Sequence, residues 1–208
     1  MFYFVKTPGW LKKLYGECIW QMPAQQKIIY LTFDDGPHHE ATPFVLDVLK
    51  KHQAKATFFC IGKNVLEQPA VYERIISEGH AVGNHTFNHL NGWKTTDEVY
   101  MENISEAKKY IDSALFRPPY GRITKFQLKL LSNYQYQLTP IMWTVLSGDF
   151  DLRLSKEHCL RNVLKKSGSG SIVVFHDSEK AFERLVFSLP KMLEYFTAQG
   201  YRFEKIVI

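Results

Sequence analysis

Two adjacent carboxylates, Asp34 and Asp35, stand at the end of a strand-like run, Ile28-Ile29-Tyr30-Leu31, and Gly36-Pro37 turns the chain just after them. Neighbouring residues at a strand end point in different directions, so one carboxylate can hold a metal while the other works on a water beside it. Asp-Asp-Gly-Pro is also ordinary turn chemistry, so its chemical use depends on what else the chain carries. His85 and His89 are the natural partners. At i and i+4 they would lie on one face of a helical turn, within reach of one ion. With a carboxylate they make a two-histidine, one-aspartate set that leaves coordination positions open, as catalytic sites do. Nitrogen and oxygen donors with no thiolate nearby suit zinc, cobalt, nickel or manganese.

Two further segments carry reactive groups. In Phe116-Arg117-Pro118-Pro119-Tyr120-Gly121, Pro118 biases Arg117 towards an extended conformation. The paired prolines stiffen the loop and leave Tyr120 as the first residue with a free amide, a candidate oxyanion donor. Arg117 is a permanent cation able to grip a carboxylate. Ser171-Ile172-Val173-Val174-Phe175 is a buried-strand pattern that ends in His176-Asp177, placing an imidazole where a general acid is useful. Each segment alone has a plain structural use as a turn, a helix cap, a proline-rich loop or a strand end.

In this order the segments resemble the polysaccharide deacetylase family, the NodB-homology domain of carbohydrate esterase family 4, from about Lys27 to about Gly200. Thr32-Phe33-Asp34-Asp35-Gly36, His85-Thr86-Phe87-Asn88-His89 and Arg117-Pro118-Pro119-Tyr120 match its first three motifs. Trp143 with Asp149 is similar to the fourth, and Val174-Phe175-His176 to the fifth, where leucine usually replaces Val174. The resemblance implies that Asp35, His85 and His89 hold a divalent metal, zinc first among the candidates. It implies Asp34 as general base, Arg117 as the group that holds Asp34, and the Tyr120 N–H as oxyanion donor. His176 would be the general acid, oriented by Asp149, and Trp143, Val174 and Pro118 would line the acetyl pocket. The fourth motif is thin: Thr144-Val145-Leu146-Ser147-Gly148 carries no carboxylate, and Phe150 stands where tryptophan is frequent. Asp151 and Asp177 are therefore alternative partners for His176. The implied activity is removal of acetyl from N-acetylated sugars such as peptidoglycan or chitin oligomers. The alternatives are an O-acetyl esterase on acetylated xylan and a non-catalytic carbohydrate-binding homologue.

Strand-like and helix-like segments must position these groups, and they alternate along the whole chain, which argues for a parallel α/β fold. Strands are expected over 27–34, 56–61, 81–83, 115–117, 140–145, 172–175 and 202–208. Helices are expected over 43–52 with Thr42 as cap, 70–78, 97–113, 124–132, 155–165 and 180–198. The chemical residues fall at strand C-terminal ends, where α/β barrels place their sites. The family fold, a distorted parallel (β/α)7-type barrel in a single domain, fits this count. Residues 1–26 are expected to form an N-terminal extension packing on a domain of residues 27–208, with a short amphipathic helix from Trp10 to Met22. His38 and His39 follow the aspartates closely enough to reach the cleft.

The chain of 208 residues is 45% hydrophobic and 23% charged, ordinary for a globular domain with a substantial core. Its net charge of +5 is scattered among acidic residues, and no nucleic-acid motif is present, which excludes that class of partner. Three widely spaced cysteines read as free thiols of a reducing compartment. No apolar run is long enough to span a membrane and no leader pattern is visible. A cytoplasmic location is the default expectation, with peripheral membrane association through the amphipathic segment as its rival.

Overall fold

Runs such as Ala56-Thr57-Phe58-Phe59-Cys60 are buried on both faces, the pattern of a parallel strand covered by helices on one side and a packed interior on the other. A computed structural model describes residues 3–133 and 136–208. Its strands are β1 (Ile28–Asp34), β2 (Ala56–Cys60), β3 (Ala81–Asn84), β4 (Leu115–Phe116), β5 (Thr139–Pro140), β6 (Val145–Leu146), β7 (Ile172–His176) and β8 (Arg202–Phe203). Its helices are α1 (Gly9–Leu14), α2 (Ala41–Lys51), α3 (Gly62–Glu67), α4 (Pro69–Ser77), α5 (Asp97–Lys108), α6 (Lys125–Leu131), α7 (Lys156–Lys166) and α8 (Phe182–Ala198). Seven parallel strands run in the order β5-β4-β3-β2-β1-β7-β6, and β8 pairs with the start of β1. This is the distorted (β/α)7 barrel in a single domain, curled and open between β5 and β6.

Register positions the chemistry. Phe33 of β1 sits opposite Phe58 of β2 and Phe175 of β7, and the three rings stack with centroids 5.0 and 6.1 Å apart. Each buried ring contributes about 1.5–3 kcal/mol, so this ladder fixes the alignment of the three central strands. The next residue of β1, Asp34, then lies opposite Phe59 on one side and His176 on the other. Asn84 pairs with Phe116, which sets His85 beside Arg117 one residue further on. Side chains alternate along a strand, so Thr32 and Asp34 share the inner face while Phe33 packs outward under α2 and α8.

The two open edges do not stay bare. Thr7 N–H donates to Thr144 O and Leu146 N–H to Val5 O, an antiparallel pairing along β6. Ile19 N–H donates to Pro140 O and Met142 N–H to Ile19 O, a parallel pairing just beyond β5. Residues from both ends of the N-terminal segment thus cover edges that would otherwise expose unpaired backbone.

Several elements differ from the sequence-based expectation. The helix expected from Trp10 to Met22 ends at Leu14, because the chain must extend again for Ile19 to pair and for Cys18 and Trp20 to enter the core. The strand expected over 140–145 is two short ones, since the chain there crosses from one barrel edge to the other. The last strand covers two residues only. Thr42 does not cap α2: it lies inside the first turn, and the ring Nδ1 of His38 accepts from the amides of Glu40 and Ala41 instead. Thr124, in contrast, makes a full capping box with Gln127 at α6. Pro190 sits within α8 without ending it. All three cysteines are free and buried.

Candidate active site

Two ion pairs and one Asp-His-His cluster meet at the C-terminal ends of the strands. The first pair is built on β1 and the loop after β4. Arg117, fully buried, donates from Nη1 to Asp34 Oδ1 at 2.7 Å and to Thr32 Oγ1 at 2.6 Å. Its Nε and Nη2 donate to the carbonyls of Ile141 and Met142, each at 3.0 Å, and its guanidinium stacks 4.0 Å from the centre of the Phe59 ring. Four of its five N–H donors are used inside the barrel, so the charge is fixed in place and Asp34 with it. Among the described residues nothing hydrogen-bonds to the second oxygen of Asp34, and Asp34 lines the cavity.

The second pair lies across the β1–β7 register. Asp149, fully buried, accepts from the His176 backbone amide on Oδ2 and faces His176 Nδ1 with Oδ1, both at 2.8 Å. A carboxylate gripping the ring and the main chain of one residue fixes the imidazole and places the hydrogen on Nδ1, leaving Nε2 for the cavity. Burial alone would lower the pKa of His176, but the charge and hydrogen bond of Asp149, with the charges of Asp35 and Asp34, raise it to about 9. The rival partners are occupied elsewhere: Asp151 binds Arg153 and the Tyr3 hydroxyl, and Asp177 binds the Gly36 amide and Thr42.

Asp35, His85 and His89 bring one donor atom each within 4.8 Å of one another. His85 Nδ1 lies 2.7 Å from the Arg117 carbonyl, which can only accept, so the ring hydrogen is there and Nε2 carries the lone pair. Burial pushes His85 down to about 4, which keeps it neutral as a ligand must be. Burial would raise Asp35, but the contact with His89 and the charges of His176, His89 and His85 outweigh it and hold the carboxyl below the usual range. Asp35 Oδ1 is buried without a well-formed hydrogen bond, although His89 Nε2 is 3.1 Å away and His85 Nε2 3.6 Å. An orphaned carboxylate oxygen facing two imidazole nitrogens is what a divalent cation completes, so the residues fit a metal.

The histidines do not share a helical turn. Residues 85–89 form a loop after β3, with Thr86 at φ 62° and His89 at φ 56°. Asn84 Oδ1 accepts the Thr86 amide, and Asn103 Oδ1 of α5 accepts the amides of Phe87 and Asn88, which folds the loop back on itself. Asp35 at φ 80° and Tyr120 at φ 60° are also left-handed. Four non-glycine residues in that costly region border one cluster, and such strain persists only where the surroundings over-determine it. Gly36 is required here: a Cβ on it would lie 2.1 Å from Asp177 Oδ2, so the turn after the aspartates closes only around a hydrogen side chain.

The groups open into a cavity of about 650 Å³ lined by Asp34, Asp35, His85, His89 and His176, with Pro118, Tyr120, Trp143 and Val174 around them. His38 and His39 do not line it; their rings lie tilted against each other, 4.3 Å apart, just ahead of α2. Three contributions were not visible in the sequence. Thr32 Oγ1 shares the Arg117 Nη1 with Asp34, and the Tyr120 hydroxyl lies 3.1 Å from His89 Nδ1. Asp177, raised to about 8 by burial with the charges of Asp35 and Asp34 adding, ties the Gly36 amide to the Thr42 hydroxyl. The hydroxyl of the Thr-Phe-Asp-Asp run and the Asp after His176 were the available signals for two of them.

Residues 21–139 match the family described as polysaccharide deacetylase. A peptidoglycan-N-acetylglucosamine deacetylase of Bacillus cereus is 37% identical over 193 residues, 90% of each chain. A chitooligosaccharide deacetylase of Azorhizobium caulinodans is 36% identical over 73% of this chain and 74% of its own. A crystal structure of a peptidoglycan N-acetylglucosamine deacetylase with a bound 4-naphthalen-1-yl-N-oxidanyl-benzamide superposes with a TM-score of 0.87 at 32% identity, covering 96% of this chain and 95% of that one.

Proposed function

The chain belongs to the polysaccharide deacetylase family, and from that premise we propose that it hydrolyses the acetamide of N-acetylglucosamine-type units in a glycan, releasing acetate and a free amine. Asp35, His85 and His89 hold a divalent ion, zinc by preference for their nitrogen and oxygen donors. Such an ion, when bound, polarises the acetyl carbonyl and makes a water more acidic. Asp34 uses its free oxygen to take a proton from the attacking water, while Arg117 keeps that oxygen aimed at the cavity. The Tyr120 amide donates to the oxyanion, and Trp143, Val174 and Pro118 enclose the methyl group. An amide leaves only if its nitrogen is protonated as the bond breaks, and His176, charged through Asp149, supplies that proton from Nε2.

The observation that carries this reading is the register of β1 on β7, which pairs Asp34 with His176 directly, so a base and an acid face one cavity beside the ligand cluster. Acetate release from N-acetylglucosamine oligomers tests it, before and after chelation and after return of zinc, cobalt, nickel or manganese, with Asp34→Asn alongside. Release that chelation abolishes, metal restores and Asp34→Asn lacks is the expected result. Release that survives both the chelator and the substitution would overturn it.

A further inference from the structure

The catalytic groups occupy only the floor of a cavity whose walls come largely from elsewhere. The N-terminal segment is held at both ends by backbone pairing, residues 5–7 along β6 and Ile19 beyond β5. Between these anchors α1 contributes Trp10, Leu11 and Leu14 to the cavity lining and buries none of its own residues. Trp10 on α1 is 61% exposed, yet it lines the same cavity as Asp34 and His176 and meets the Phe4 ring edge-on at 6.4 Å. Trp93, in the loop after the metal-ligand histidines, lines it too and is 53% exposed. Its Nε1–H donates to the Ile123 carbonyl at 2.9 Å and the Arg122 guanidinium lies 4.1 Å from its ring centre. Trp93 is therefore pre-oriented, with its polar edge satisfied and one face already covered.

Two exposed tryptophans that line one cleft make an apolar patch of the kind that marks a ligand-binding groove. A pyranose fits the chemistry: its C–H face is apolar and its hydroxyls radiate from the rim, so a flat indole takes the first without stripping water from the second. The volume of about 650 Å³ also exceeds what an acetyl group needs and lies within the range of larger organic ligands. A lipid surface fits less well, because α1 has only six residues, too few for an interfacial amphipathic helix.

We propose that Trp10, carried on the N-terminal segment, forms with Trp93 an aromatic subsite for the sugar adjoining the one that is deacetylated, so that the enzyme selects oligomers over single sugars. This rests on the deacetylase reading given above. The test compares kcat/KM for acetate release from N-acetylglucosamine and from its tetramer, in the wild type and in Trp10→Ala, Trp93→Ala and Trp10→Phe. The tetramer-to-monomer ratio should fall at least tenfold in each alanine variant, mainly through KM, and Trp10→Phe should restore most of it. An unchanged ratio in both alanine variants, with melting temperatures as in the wild type, would overturn the proposal. So would Trp10-dependent sedimentation with anionic phospholipid vesicles alongside an unchanged ratio. If the wild type releases no acetate from any sugar, calorimetry of the tetramer with the same proteins separates the two ideas. Binding weakened tenfold by Trp10→Ala would uphold the subsite while the deacetylase reading fell, and equal binding, or none, would sink the subsite as well.

Discussion

The two sides of the catalytic floor use the same chemical pair to opposite ends. On the β1 side a carboxylate faces the cavity and its cation, Arg117, is sealed behind it in the barrel. On the β7 side the order is reversed, with Asp149 sealed behind and the imidazole of His176 in front. Arginine cannot give up its proton, so the first pair presents an acceptor. Histidine can, and its buried carboxylate keeps it loaded, so the second presents a donor. In the proposed reaction, what sets base or acid is therefore which partner the fold hides, more than which residues are present.

The largest effect should come from disabling the exposed member of the first pair. Asp34→Asn should cut kcat by about 10²- to 10⁴-fold, the usual weight of a positioned base, while zinc content by mass spectrometry stays at wild-type level. Removing the hidden member tests the comparison on stability. Arg117→Leu leaves Asp34 buried without its counter-charge and should cost about 3–5 kcal/mol in denaturant unfolding; a loss under 1 kcal/mol would mean the pair is not the anchor described here. Removing the hidden member of the second pair should act on pH instead. His176 must be protonated to donate, so rate is lost as pH rises through its pKa, and in Asp149→Asn burial would prevail and bring that loss to lower pH. The variant should be about 10- to 100-fold slower at pH 8 and closer to wild type at pH 6; parallel profiles would break the contrast between the sides. The smallest effect is expected at the rim. Tyr120→Phe removes the hydroxyl near His89 Nδ1 and should weaken zinc affinity by about tenfold, read by competition with a chelating dye.

Much of this contrast was legible in the sequence, because it sits on short motifs at strand ends. Asp34, Asp35, His85, His89, Arg117 and His176 were all named from residue type and order, and the structure brings five of them around one cavity with Arg117 buried behind Asp34. Asp149 could be chosen over Asp151 and Asp177 only in three dimensions, since the choice depends on which carboxylate reaches Nδ1. The i, i+4 spacing of the histidines anticipated that the two rings share one cluster but misled about conformation, because side chains of Asn84 and Asn103 hold that loop in shape. Strand lengths at the barrel opening were the least legible part. There Ile19 and Thr7 supply pairing from over a hundred residues away, and no local pattern records such a partner.

The two ends of the described chain emerge at opposite poles of the barrel. Tyr3 lies at the cleft, with its ring on Phe150 and Phe150 on His176, whereas β8 joins the first residues of β1, roughly 17 Å below Asp34 at the rise of an extended strand. Val207 and Ile208, just beyond, are exposed. An affinity tag or surface linker attached ahead of Tyr3 would therefore crowd the entrance used by a glycan, while the same addition after Ile208 would tether the enzyme by its base with the cleft facing outward.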